Sequence, residues 1–221
     1  DWGAPIVWAA ALADPERFTA VAGMSIPHMG HGVAPIIDVS RKLFTDNGHF
    51  FYMVYFQDEG VAEAELEANV RDTIRRTYYA WSGDAPPGGW PVGKKHGEPF
   101  LQGMVDPGQF PTWMSDDEID YLVKEFEGSG FRGPLNRYRD FHRDFAAASR
   151  HAGKKITQPA LFMAGDRDVG IRMFGRNVEP RMREHFADLR GFHLIEGAGH
   201  WNQQEKPSET NRLLLDWLKG L

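Results

Sequence analysis

Several common signals are missing from the sequence, and each absence excludes a class of site or partner. There is no cysteine, which excludes disulfides, thiolate metal sites and a cysteine nucleophile. No run of about 20 apolar residues occurs, so no transmembrane helix is predicted. Basic residues are outnumbered, with 25 Lys and Arg against 31 Asp and Glu, which argues against nucleic acid or an anionic membrane surface as a partner. No glycine-rich phosphate loop or dinucleotide fingerprint occurs either.

The composition is that of a globular, soluble protein. The chain has 221 residues, 42% of them hydrophobic, which is enough for one large domain or for one domain with an insertion. The lack of cysteine fits a reducing compartment, and the expected location is the cytoplasm. A helical pattern begins directly behind Asp1, so we expect an N-terminal portion to precede this sequence in the natural protein.

Both ends of the chain alternate helix and strand, which is the pattern of an α/β sheet. Apolar residues on every side predict a buried helix over residues 2–12, and short apolar runs predict buried strands. The predicted strands cover residues 18–24, 160–164 and 192–195. Further helices are predicted over residues 173–186, with a kink or restart at Pro180, and over residues 205–218.

Strand patterns almost disappear from about residue 36 to residue 153, and helical patterns replace them. Ser115 and Glu118 form a capping box that begins one helix, and Gly128 and Gly130 are expected to end it. The predicted helices of this region cover residues 62–81, 116–126 and 135–151, and residues 82–111 form a loop rich in Pro and Gly. We interpret the region as a helical cap. The predicted domains are core residues 1–27, cap residues 28–155 and core residues 156–221.

The first residues match half of a nucleophile elbow, namely an acidic residue, a bulky residue and a glycine in Asp1-Trp2-Gly3. In such an elbow the attacking side chain lies on a tight strand-to-helix turn, where glycine lets the backbones approach. Helix N–H groups near that turn favour a developing negative charge. The alternative interpretation is an ordinary N-cap, since Asp is a preferred residue before a helix.

Asp168 and His200 stand at the ends of two predicted strands. Because ligand sites of open α/β sheets form at the carboxyl ends of strands, both side chains are expected to face one crevice. The order nucleophile, acid, histidine along the chain is that of the α/β-hydrolases, and Gly197 and Gly199 let the backbone turn before His200. The alternatives are a helix-capping Asp and a loop His without a catalytic role. Asp166 is a competing acid.

Four blocks of the sequence resemble successive blocks of the soluble epoxide hydrolases. They are Asp1-Trp2-Gly3, Phe56-Gln57-Asp58-Glu59-Gly60-Val61-Ala62-Glu63, Gly130-Phe131-Arg132-Gly133-Pro134-Leu135-Asn136-Arg137-Tyr138-Arg139 and Gly199-His200-Trp201. The similarity runs along essentially the whole chain, and the second and third blocks are more specific than any triad pattern. The resemblance implies an α/β-hydrolase core with a mostly parallel sheet, an inserted helical cap and no cofactor.

The resemblance also implies roles for individual residues. Asp1 matches the nucleophile of the family's His-Asp-Trp-Gly elbow. Two cap tyrosines of the family match Tyr52 and Tyr138, and its acid and base match Asp168 and His200. The residues expected to bind substrate are Trp2, Tyr52, Phe56, Tyr138 and Trp201. The family's His-Gly-x-Pro oxyanion loop and first strands precede the nucleophile and are not in this sequence, which leaves the Trp2 N–H as the oxyanion donor.

The chemistry of epoxide opening is consistent with these roles. The alkoxide of an opened epoxide is a poor leaving group near pH 7, so ring opening needs an acid. Two phenols with an ordinary pKa of about 10 can donate to the ring oxygen. A carboxylate nucleophile gives an ester, and His200, oriented by Asp168, can activate water to cleave it. The tyrosines are alternatively packing residues, as amphipathic rings often are.

Two other functions and a metal site are alternatives to epoxide hydrolysis. A haloalkane dehalogenase also uses an Asp nucleophile, but it needs halide-stabilising groups where this chain has Tyr52 and Tyr138. A small-molecule receptor on the same fold would carry a Ser nucleophile. A metal site at His28 and His31 lacks a third ligand at a useful spacing, so no metal is expected. The expected partner is a small apolar epoxide, without nucleic acid or membrane insertion, and a homodimer is left open.

Overall fold

Three strands form a parallel sheet in the computed structural model, which describes residues 1–175 and 177–221. They are β1 (Val21–Met24), β2 (Ala160–Gly165) and β3 (Leu189–Ile195), in the order β1-β2-β3. Every residue of the central strand β2 is buried, as expected for a strand with neighbours on both edges and a continuous apolar sequence. The carboxyl ends of β2 and β3 therefore lie side by side, because Gly165 pairs with Ile195.

Twelve α-helices occur among the described residues. In chain order they are α1 (Gly3–Ala13), α2 (Ile36–Leu43), α3 (Tyr52–Tyr55), α4 (Val61–Ala68), α5 (Val70–Trp81), α6 (Asp116–Ser129), α7 (Arg132–Arg139), α8 (Phe141–Ala148), α9 (Val169–Met173), α10 (Val178–Arg183), α11 (Asn202–Glu205) and α12 (Pro207–Lys219). Two 3₁₀ turns, Thr45–Asn47 and Ser149–His151, complete the regular structure. None of these helices is long and apolar enough to cross a bilayer.

The chain divides into two compact units. The first comprises Asp1–His31, Trp81–Asp84 and Ala148–Leu221, and the second comprises Gly32–Ala80 and Ala85–Ala147. The first unit contains the sheet, whereas the second is helical and has no strand among its described residues. The assignment of residues 1–27 and 156–221 to a hydrolase core, and of residues 28–155 to a cap, stays a prediction.

The core of the first unit is built around Trp8 of α1, which is 1% exposed. Its indole N–H donates to the carbonyl of Ile26 at 3.1 Å, and its ring meets Phe186 edge-on at 5.5 Å. Gly23 in β1 makes room for it, since a Cβ at this position would overlap the indole. The apolar pattern that predicted a buried helix therefore packs α1 directly against the sheet.

Two long helices expected in the second unit are interrupted. The predicted helix over residues 62–81 is wrong as one element, because Asn69 adopts an extended conformation between α4 and α5. The Asn69 side chain accepts the N–H of Asp72 at 3.1 Å, so it caps α5. The predicted helix over residues 135–151 likewise breaks at Asp140, between α7 and α8.

Other helix and strand boundaries differ from the predicted ones. Helix α6 passes through Gly128 and ends before Gly130, whose φ of 67° suits glycine. Strand β1 begins only at Val21, opposite the first residue of β2. Pro207 begins α12 as its first residue, because proline has no N–H to continue the preceding helix.

The predicted helix over residues 173–186 includes Arg176, which lies outside the described residues. On either side of it, α9 ends at Met173 and α10 begins at Val178. The helix thus restarts two residues before Pro180, which occupies the first turn of α10, where a proline is tolerated.

Candidate active site

Asp1 lies immediately before Trp2, the N-cap residue of α1. Its Oδ1 accepts the N–H of Trp2 at 2.7 Å. Its Oδ2 lies 3.8 Å from Nε2 of His200, and the Asp1 side chain is 57% exposed. One carboxylate oxygen is therefore held by a backbone amide while the other faces an imidazole.

Asp168 follows β2 and is fully buried, with 0% exposure. Both of its carboxylate oxygens lie 3.1 Å from Nδ1 of His200. A carboxylate at Nδ1 orients the imidazole, so that Nε2 faces Asp1. Asp168 also caps α9, since Oδ1 accepts the Gly170 N–H at 2.7 Å. The competing acid, Asp166, is exposed and accepts the Gly197 N–H at 2.8 Å instead.

The backbone of His200 is fixed from two sides. Its N–H donates to the carbonyl of Trp81 at 2.9 Å, and its carbonyl accepts the buried Ser25 hydroxyl at 3.1 Å. Asn202 in turn donates to the Ser25 hydroxyl oxygen at 3.3 Å. No local pattern in the sequence indicates these partners, because they become neighbours of His200 only through folding.

The glycines before His200 serve two different purposes. Gly197 has a φ of 73°, so it provides the sharp turn that was predicted. Gly199 instead permits a close approach between segments, because a Cβ there would overlap the backbone of Trp81, Ser82 and Gly83.

Two tryptophans border the imidazole of His200. The rings of Trp81 and Trp201 meet it edge-on, with centroids at 5.0 and 4.9 Å. Only 5% of His200 is exposed. Trp201, expected to bind substrate, therefore contacts the predicted base, and its binding role stays a prediction.

The predicted residues of the second unit form one aromatic cluster. Tyr52 begins α3 and is 7% exposed, and Tyr138 lies in α7. Their ring centroids are 5.9 Å apart. Phe56 lies 5.7 Å from the ring of Tyr52 and 5.0 Å from that of Tyr138. The structure thus brings together three side chains that lie up to 86 residues apart in the sequence.

Two residues that were not singled out hold this cluster together. The side-chain amide of Gln57 donates to the carbonyls of Met53 and Tyr138, both at 2.8 Å. Arg139 donates to the carbonyl of Phe56 at 2.9 Å. Gln57 and Arg139 lie in the two sequence blocks that carry the family resemblance, so their presence there was the available signal.

Arg139 also forms a largely buried ion pair with Glu63. Two of its N–H groups reach the carboxylate at 2.7 and 3.0 Å, and the two side chains are only 12% and 11% exposed. Hydrogen bonds from Arg139 are the main reason that the pKa of Glu63 falls from its ordinary 4.5 to about 2, with further bonds from backbone N–H groups. The Glu63 carboxylate is therefore charged at neutral pH.

His28 packs among rings. Its imidazole meets the rings of His185 and Phe186 edge-on, with centroids 5.7 and 5.9 Å apart. Burial, with His185 as the second cause, lowers the pKa of His28 to about 4. No group of three or more His, Asp or Glu in the described part of the chain is arranged to hold a metal ion.

Comparison with known proteins identifies the family. Epoxide hydrolase A of Mycobacterium tuberculosis is 39% identical over 225 residues, covering 100% of this chain and 67% of that protein. The chain belongs to the epoxide hydrolase family. Two solved epoxide hydrolases match the whole chain, with TM-scores of 0.90 for epoxide hydrolase A of Mycobacterium thermoresistibile (38% identity, 68% of that chain) and 0.91 for an enzyme of an endophytic Streptomyces (35% identity, 66% of that chain). No protein-family model matches the chain.

The comparison confirms two predictions made from the sequence. The predicted family is correct, and the predicted α/β-hydrolase fold agrees with the solved epoxide hydrolases along the full length of the chain. Membership in the epoxide hydrolases also favours epoxide hydrolysis over the dehalogenase and receptor alternatives. The roles of individual residues are a separate matter, for which the geometry of each unit supplies the support.

Proposed function

We propose that the protein hydrolyses epoxides to vicinal diols through a covalent ester on Asp1. The observation that carries the proposal is the row of three side chains Asp168, His200 and Asp1. The buried carboxylate of Asp168 binds Nδ1 of His200, and Nε2 of the same ring faces Oδ2 of Asp1 at 3.8 Å. A carboxylate nucleophile next to an oriented imidazole suits ester formation followed by base-assisted hydrolysis.

In the first step, Oδ2 of Asp1 attacks one carbon of the epoxide. The carbon–oxygen bond of the ring breaks, and its electron pair stays on the ring oxygen. That oxygen takes a proton from the phenol of Tyr52 or Tyr138, which leaves a tyrosinate and a hydroxyalkyl ester. Oδ1, which already accepts the Trp2 N–H at 2.7 Å, becomes the carbonyl oxygen of the ester.

In the second step, Nε2 of His200 takes a proton from water, and the resulting hydroxide attacks the ester carbonyl. Negative charge gathers on Oδ1, where the Trp2 N–H stabilises it. The intermediate then expels the diol oxygen, which takes the proton back from His200. Asp1 is left as a carboxylic acid and returns its proton to the tyrosinate, so the net reaction consumes one epoxide and one water.

The two units divide these roles. The first unit acts as the hydrolase core and supplies the nucleophile, the base and the acid that orients the base. The second unit acts as the cap and supplies both phenols. Substrate contacts are assigned to Trp2, Tyr52, Phe56, Tyr138 and Trp201, whose aromatic character suits a small apolar epoxide. No cofactor has a part in this chemistry.

A single-turnover experiment tests the ester. The protein is incubated with less than one equivalent of a terminal aryl epoxide in ¹⁸O-labelled water, and peptide mass spectrometry locates the label. Label is expected in the Asp1 carboxylate, because water attacks the carbonyl carbon of the ester. Label in the diol alone, with none in the protein, would mean direct attack by water and would refute the ester.

His200→Gln tests the role of the base in the same assay. The variant should consume about one epoxide per site and then retain a stable mass adduct, since ring opening does not need His200. His193→Gln is the matched control, because His193 lies in β3 and outside the proposed machinery; it should turn over like the parent protein. If His200→Gln binds substrate but forms no adduct, His200 acts in the first step.

A further inference from the structure

Glu205, at the end of α11, binds the backbone on both sides of His200. Its Oε2 accepts the N–H of Gly199 at 2.9 Å, and its Oε1 accepts the N–H of Trp201 at 3.0 Å. Its Oε2 also accepts the N–H of Gly83 at 2.7 Å. One carboxylate therefore satisfies three amides and joins the His200 loop to the segment Trp81–Asp84.

These bonds fix the position of the His200 Cα more directly than any contact of the ring. The residues before and after His200 share the two oxygens of a single rigid carboxylate. Burial raises the pKa of Glu205, while the hydrogen bonds from Gly83, Gly199 and Trp201 act in the opposite direction. Because buried N–H groups without partners are costly, replacing the carboxylate would force the loop to find other acceptors.

The geometry points to Glu205 as a positioning residue that holds the imidazole of His200 between Asp168 and Asp1. This inference deepens the proposed function and rests on the step assigned there to His200. Glu205 touches no reacting atom, so its effect is expected to appear only in the step that uses the base. A residue that merely stabilised the first unit would instead change both chemical steps or neither.

Glu205→Gln is the informative variant, because it keeps the shape of the side chain. The amide of glutamine has one accepting oxygen and one donating nitrogen. It can accept from Gly83 and Gly199 or from Trp201, but not from both sides. Asp166→Asn is the matched control, since Asp166 accepts the N–H of Gly197 in the same loop, away from the residues that flank His200.

The first measurement separates the two chemical steps by rapid-quench mass spectrometry with a terminal aryl epoxide. In Glu205→Gln, we expect ester hydrolysis to slow roughly 10- to 100-fold, the loss associated with a misplacement of about 1 Å. Ester formation should stay within about twofold of the parent rate, so the adduct accumulates. Asp166→Asn should keep both rates. Equal slowing of both steps, or no slowing, would overturn the inference.

The second measurement does not depend on catalysis. The proton on Nδ1 of His200, in its bond to Asp168, should give a downfield NMR resonance in the parent protein and in Asp166→Asn. We expect this resonance to shift or broaden away in Glu205→Gln. An unchanged resonance would overturn the positioning role. If His200→Gln forms no adduct, the proposed mechanism fails by itself, and the resonance alone then decides the role of Glu205.

Discussion

The ion pair of Glu63 and Arg139 should make the stability of the protein depend on acid pH. The pKa of Glu63 falls from an ordinary 4.5 to about 2, and each pKa unit corresponds to about 1.4 kcal/mol. Ionised Glu63 therefore makes the free energy of unfolding about 3 kcal/mol larger near neutral pH than protonated Glu63 would. Since the folded pKa lies below the unfolded one, this contribution is present above about pH 4.5 and is lost as the pH falls toward about 2.

Glu63→Gln removes the titrating group and should show this dependence directly. Urea unfolding followed by far-UV circular dichroism gives the free energy of unfolding of both proteins at several pH values. The difference between them should be about 3 kcal/mol near pH 5 and shrink to about 1 kcal/mol near pH 3. Glu209→Gln, which breaks an exposed pair with Arg212, should have a much smaller effect. A difference that stays constant from about pH 6 to about pH 3 would refute the reasoning.

Two further predictions concern the phenols and the close backbone approach. Tyr52→Phe and Tyr138→Phe should each slow ester formation roughly 10- to 100-fold, from a loss of about 1–3 kcal/mol. The double variant should be far slower in rapid-quench measurements, and a double variant near the parent rate would make both tyrosines packing residues. Gly199→Ala should lower the free energy of unfolding, measured by urea titration, by about 1–3 kcal/mol, because its Cβ meets backbone that cannot rotate away. Gly133→Ala in α7 has open space for a Cβ and should leave the free energy of unfolding unchanged. Equal effects of the two glycine substitutions would contradict the overlap at Gly199.

The sequence predicted the strands, α1 and the acid–histidine pair because their signals are local. The buried strand before Asp168 and the strand before His200 are continuous apolar runs, and the sheet brings their ends together by a general rule of α/β folds. The tyrosines are different, since nothing in their local pattern separates Tyr52 or Tyr138 from the other four tyrosines. Only the resemblance of two blocks singled them out.

What the sequence could not predict depends on contacts between distant segments. Asn69 interrupts a helix because its side chain caps α5. An Asn can either cap a helix or continue one, and the local sequence does not decide between the two. Glu205 follows a loop and reads as one more polar residue of a surface helix. Glu205 is important because the backbone N–H groups of residues 83, 199 and 201 all bind its carboxylate. No periodic pattern in the sequence predicts that these three residues meet.

The segment Trp81–Asp84 belongs to the first unit although the residues on both sides of it belong to the second, so the chain passes between the units four times. An insertion joined at only two points could be exchanged between relatives as a cassette. Here such an exchange would also discard the Trp81 carbonyl that accepts the His200 N–H and the Gly83 N–H that binds Glu205. A chimera must therefore take this tetrapeptide from the same parent as His200, and residues 81–84 should vary among relatives in step with residues 197–205 rather than with the rest of the insertion.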